Sequence, residues 1–183
     1  MTLMTNHQSI YDDYPEYPYI NPDRDPKWFK KLELGTVTRV PIRNMQRTPE
    51  NLLPGDIILL WRIDLGTFTN ETWYPKYFEY DYGIDAPTRL QWLIEQKYAF
   101  VESALNSLKH VSGTEIKAIL KQLGVSGYSK LKKDELTELV KKTLTEEQLN
   151  EFISIRGIHL TEKGKDALTN NPEIIERHPK KNL

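Results

Sequence analysis

Cysteine is absent from the 183 residues, which removes disulfides, a thiol nucleophile and any thiolate metal site. No run approaches 18 apolar residues, so no stretch reads as a transmembrane helix. The opening Met1-Thr2-Leu3-Met4-Thr5-Asn6-His7 lacks the charged-then-apolar order of a signal peptide. A soluble, cytoplasmic protein is the expectation. Neither sign of charge prevails: 25 Lys and Arg meet 26 Asp and Glu, a formal net charge of −1 that argues against a general nucleic-acid coat. The nine glycines fall mostly at turns, and no Walker-type loop, dinucleotide glycine pattern or Gly-x-Ser-x-Gly occurs. The four histidines (His7, His110, His159 and His178) are scattered, with no pair four residues apart to seat a metal on one helix face. His178, beside the tail lysines, reads as exposed. Asp12-Asp13 and Glu146-Glu147 are neighbours on the chain and do not converge on one substrate. These gaps lead to a reading with no catalytic residue, no metal and no cofactor.

What is present is unevenly spread. Residues 109–183 hold 14 Lys and Arg against 11 Asp and Glu, and residues 1–108 hold 11 against 15. Any contact with nucleic acid is therefore expected to be local, weak and salt-dependent, since few phosphates can be neutralised.

Residues 1–27 alternate tyrosines with prolines and acids, and no helix survives that proline density. The preferred reading is a loose arm. The sharper one has Tyr11, Tyr14, Tyr17 and Tyr19 docking on a partner or a second copy of the chain, because tyrosine offers large contact area at low entropic cost. Asp25 and Pro26 can open a short helix through Leu32. Thr36-Val37-Thr38-Arg39-Val40 and Ile42 then alternate as a strand would. Leu53-Pro54-Gly55-Asp56 reads as a turn launching Ile57–Ile63, the most strand-like run and a candidate central strand. Residues 28–84 are thus expected to be a small β-rich, aromatic-rich region. Its Trp73 and Tyr77 belong to an aromatic crowd with almost no interleaved Lys or Arg, which favours core or protein-interface packing over base stacking.

Residues 85–176 read as helical. Asp85-Ala86-Pro87 caps a helix ending near Gln96, and a short helix is expected around Glu102 to Leu108. Thr145-Glu146-Glu147-Gln148 is a capping box. Ile158-His159-Leu160-Thr161-Glu162-Lys163-Gly164 resembles the short strand and helix start of winged-helix proteins. Pro172 opens a last helix, and residues 177–183 form a basic tail.

Within this half lies the informative stretch, residues 112–144. Ile116, Ile119, Leu120 and Leu123 form one helical stripe behind a Ser112–Glu115 capping box. Gly124 is placed to close that helix. A second helix is expected from Ser129 or Leu131, carrying Leu136, Leu139 and Val140. Lys130, Lys132 and Lys133 crowd its first turn, where a helix prefers acids, as suits a site for a phosphate.

The run Gly127-Tyr128-Ser129-Lys130-Leu131-Lys132-Lys133, followed by Glu135-Leu136, resembles a SAP motif. It resembles still more the helix-extension-helix of the N-terminal domain of transcription terminator Rho. Small Gram-positive bacterial and phage proteins with a SAP-like region have a similar order of segments. The resemblance implies two helices across a tight extended connection, with nucleic-acid backbone contacted by Tyr128, Ser129, Lys130, Lys132 and Lys133, and more weakly by Lys117 and Lys121. Asp134, Glu135 and Glu138 dilute the basic field, and the related LEM motif binds protein instead.

The expected fold is α+β: a small β element in the N-terminal half, then a helical C-terminal domain containing the helix-extension-helix. The expected function is a non-enzymatic nucleic-acid-binding accessory protein. The competing expectation is a phage-type protein-interaction module, a virion assembly factor or an inhibitor of a host machine, acting through the Tyr- and Trp-rich half.

Overall fold

The computed structural model describes residues 10–180; His7 and Lys181 lie outside them. About 49% of the chain is helical, with a small two-stranded antiparallel sheet. In chain order the elements are α1 (Pro26–Glu33), α2 (Pro54–Asp64), α3 (Tyr77–Tyr80), α4 (Ala86–Glu95), β1 (Ala99–Val101), α5 (Gly113–Gln122), α6 (Lys133–Thr143), α7 (Glu146–Asn150), β2 (Ile158–Leu160), α8 (Glu162–Asn170) and α9 (Pro172–Arg177), with 3₁₀ turns at Ile42–Met45 and Asn106–His110. Among the described residues no helix is long and apolar enough to cross a membrane. Two compact units interleave along the chain. Among the described residues, one holds 10–62, 73–99 and 160–180; the other holds Ile63–Thr72 and Phe100–His159. This interleaving differs from the expected consecutive regions with boundaries at 27, 84 and 176.

The α+β content is as expected, but the β element is elsewhere. No strand lies within residues 28–84 among those described, and the run expected as a central strand is helix α2. Ile57, Ile58, Leu59 and Leu60 are all fully buried, so α2 is surrounded on every side. A helix buried all round has no polar face, and its apolar run has no periodicity to distinguish it from a buried strand. The turn signal before it is the helix start: Pro54 takes the first position, and the Asp56 carboxylate accepts from the Leu53 N–H at 2.9 Å.

The alternating run Thr36–Val40 is not a strand either. The Val40 N–H donates to the Tyr11 hydroxyl at 3.3 Å, and the Val40 carbonyl accepts from the Tyr14 hydroxyl. The Val40 groups that would join a ladder are taken by tyrosines, and Ile42 starts a 3₁₀ turn.

Those tyrosines also correct the loose-arm expectation for residues 10–27. Tyr11 is 1% exposed, and Pro18 and Arg24 are buried. Arg39 pairs with Asp13 at 2.8 Å, Arg47 grips both oxygens of Glu16, and the Tyr19 N–H donates to the Gly83 carbonyl at 2.7 Å. Gly83 has φ +59°, and a Cβ there would stand 2.6 Å from Pro18, so the segment closes over a position that admits no side chain. Arg24 pairs with Glu79 at 2.7 Å and lies between the Trp28 and Tyr80 rings.

The second unit is built around α5, α6 and α7. Leu108, Ile116, Leu120, Leu136, Val140 and Leu149 form its fully buried centre. The Thr145–Gln148 capping box opens α7 as expected. The Thr69–Gly157 bridge and the Ile158 N–H on the Phe68 carbonyl set residues 68–70 beside the start of β2. The helix expected at Glu102–Leu108 is shorter and later, a 3₁₀ turn at Asn106–His110. Ser107, its second residue, is buried, with its hydroxyl donating to the Ser103 carbonyl and accepting from the Gly157 N–H.

Candidate functional site

The two helices of residues 112–144 are built by local rules. The Ser112 hydroxyl accepts from the Glu115 N–H at 3.2 Å, while the Glu115 carboxylate accepts from the Ser112 N–H at 3.0 Å. This reciprocal cap starts α5. Its buried stripe of Ile116, Ile119 and Leu120 packs on Leu136 and Val140 of α6. Leu123, expected in that stripe, is 37% exposed at the end of the helix. Gly124 and Gly127 take left-handed conformations (φ +72° and +82°), which turn the chain out of α5 and across to α6.

Helix α6 starts at Lys133, later than the expected Ser129 or Leu131. The Leu131 N–H instead bonds the Tyr128 carbonyl, so Tyr128–Lys132 stay in the connection. Glu135 accepts from the Lys132 N–H at 3.2 Å, capping the helix with an acid in its first turn.

The expected contact residues fall into two groups. Lys121, Lys130 and Lys132 are exposed, and among the described residues no hydrogen bond or ion pair engages their amines. Lys133 is exposed and donates to the Lys109 carbonyl at 2.7 Å; half-buried Lys117 donates to the Ser129 carbonyl at 3.1 Å. Each of those two amines is held by a backbone carbonyl and not by a carboxylate. Ser129 is exposed, and Tyr128 is half-buried against the unit's core. Asp134 and Glu138 border the same ground as Lys133 and Lys109.

The expected protein-interface residues separate as well. Tyr11 is interior, and the half-buried Tyr14 gives its hydroxyl to Val40. Tyr19 is half-buried. Tyr77 lies against Phe78 and His178, and its hydroxyl accepts from Arg62 at 3.1 Å. Trp73 (71% exposed) and Tyr17 (54%) alone remain largely open among these six.

One cluster was not legible in the sequence. Glu102, His110 and His159 bring ligand-type atoms within 4.8 Å of one another. Glu102 follows β1, His110 ends the 3₁₀ turn and His159 sits in β2, so only folding unites them. Glu102 Oε1 lies 3.1 Å from His159 Nε2, and the Lys109 ammonium reaches both, at 3.0 and 2.8 Å. Glu102 Oε2 and His110 Nε2 are buried without a hydrogen-bond partner. Burial, with the nearby Lys109 charge second, lowers the pKa of His110 and favours the neutral ring. A Cβ on Gly157 would stand 2.5 Å from Glu102 Oε2 and 2.9 Å from His110 Nε2, so a side chain there would push these two groups aside. The 48 residues between the two histidines leave no local spacing signal.

No family model, curated protein or solved structure matches the chain.

Proposed function

We propose that the protein is a non-enzymatic nucleic-acid-binding accessory protein that holds phosphate backbone at the start of α6. The observation that carries this reading is the pair of exposed, unengaged amines of Lys130 and Lys132, directly before a helix N-terminus. Lys133 adds a third charge one residue on. Phosphate oxygens are acceptors only, so ammonium groups and the positive end of a helix suit them. Contacts of this kind position a backbone without reading bases, which predicts little sequence preference. Seven lysines against four acids in residues 112–144 keep the field modest, which predicts weak binding.

The test is fluorescence anisotropy with labelled duplex and single-stranded DNA and RNA, from low salt to about 150 mM. Three phosphates neutralised give a slope of log K against log salt of about −3 on duplex DNA. Lys130→Glu, Lys132→Glu and Lys133→Glu together should abolish the signal and leave the thermal melt unchanged. A wild type without affinity for any of these probes at low salt overturns the reading. It would leave the second one, a protein-interaction module, which the openness of Trp73 and Tyr17 favours.

A further inference from the structure

The cluster formed by Glu102, His110 and His159 holds an imbalance that the fold does not resolve. A buried carboxylate oxygen and a buried imidazole nitrogen, Glu102 Oε2 and His110 Nε2, both lack a partner. Buried polar atoms are nearly always satisfied, and each exception calls for a physical reason. The single hydrogen bond that would settle both atoms is not formed, although the cluster's ligand atoms lie within 4.8 Å of one another. The other half of the cluster is already arranged around a cation. The Lys109 ammonium bonds Glu102 Oε1 and His159 Nε2, the same two donors that a metal ion would use.

We propose that Glu102, His110 and His159 form a binding site for a late first-row divalent cation of the Zn²⁺ type, with the Lys109 ammonium as its competitor for two of the donors. Two imidazoles and a carboxylate are the ligand chemistry of zinc; magnesium and calcium prefer oxygen throughout. A tetrahedral zinc with bonds of about 2.0–2.2 Å wants ligand atoms roughly 3.3–3.6 Å apart. Glu102 Oε1 and His159 Nε2 are already at 3.1 Å. The three ligand atoms lie within 4.8 Å of one another, so the widest pair has to close by no more than about 1.5 Å to reach tetrahedral spacing. The Lys109 side chain is 47% exposed, so its ammonium can swing into water when the ion enters. Three protein ligands leave the fourth position of a tetrahedral ion to water.

The experiment is calorimetric titration of the full chain with Zn²⁺ in a non-chelating buffer. Titration with Co²⁺ accompanies it, since its visible bands report tetrahedral coordination. One equivalent should bind. His110→Gln should weaken binding by more than about tenfold, a loss already typical of removing a group that only supports a ligand. Lys109→Met should tighten it by about tenfold or more, because a like charge is removed from beside the ion. The second variant deletes no ligand, so its gain cannot arise from misfolding. Two results overturn the proposal: no stoichiometric uptake by either the wild type or Lys109→Met, or binding that neither variant changes, which would place the ion elsewhere.

Discussion

His178 lies against the rings of Trp61, Tyr77 and Tyr82, and its Nδ1 shares a 2.6 Å hydrogen bond with the Tyr82 hydroxyl. It is 6% exposed, against the expectation of a solvent-facing tail residue. The tail lysines misled that expectation, because local polarity says nothing of what α9 packs upon. Burial lowers the His178 pKa below the ordinary 6.5; Arg62 and Lys180 push the same way, and Asp81 opposes them. Burial also pushes the Tyr82 hydroxyl up to about 12, so it stays protonated throughout the neutral range. The unfolded chain therefore takes a proton at 178 before the folded one does. Stability is complete above pH 6.5 and falls as the pH drops through the depressed folded value. Urea midpoints for the wild type should decline from pH 7.5 toward the acid side. His178→Phe, which cannot titrate, should start lower because Tyr82 loses its partner, and should decline less steeply. Parallel declines in the two proteins would show that the His178 charge has no part in it. His110 has the same sign of shift and remains in both proteins, so the difference between them isolates position 178.

At the scale of single elements, legibility followed the reach of the forces involved. Helix α5 could be read because everything that specifies it lies within the thirteen residues 112–124: the Ser112–Glu115 cap, the stripe at i, i+3 and i+4, and Gly124 beyond its end. Helix α2 could not, because its burial on every side is a property of the surrounding chain. Its anchor is also non-local. The Arg89 guanidinium grips both oxygens of the Asp56 carboxylate, at 2.8 and 2.6 Å, while one of those oxygens also holds the Leu53 N–H. The Asp56 side chain is fully buried, and Arg89 is 20% exposed and lies over the Trp92 ring at 4.3 Å. Removing one partner of a buried pair leaves the other charge uncompensated, which costs about 3–5 kcal/mol. Asp56→Ala should lose about that much in denaturant unfolding. Adding Arg89→Met should recover part of the loss, because the stranded charge leaves with it and its stem still covers Trp92. A double variant no more stable than Asp56→Ala would mean that the Leu53 cap alone accounts for the effect.

For the whole chain, the sharpest disagreement between sequence and structure concerns residues 10–24. Prolines and acids give this stretch the composition of a disordered arm. The same count takes no account of tyrosines that can dock on their own unit. Tyr11 is fully buried, Arg24 holds Glu79, and Asp13 and Glu16 engage Arg39 and Arg47. The two exposed pairs add little, since surface ion pairs seldom exceed about 1 kcal/mol. The buried aromatic and the Arg24 contact carry the difference. Truncating a large buried aromatic side chain alone costs about 3–5 kcal/mol. For a chain of this length each kcal/mol moves the thermal midpoint by roughly 2–4 °C. A loose arm would leave the melt of a variant lacking residues 1–24 unchanged. The packed segment predicts a midpoint lower by about 8 °C or more, followed by circular dichroism. The variant would also expose Val40 and Gly83, whose backbone groups lose their Tyr11, Tyr14 and Tyr19 partners. Self-association of the truncated chain would then report newly uncovered core, whereas its loss would report an interface carried by the arm.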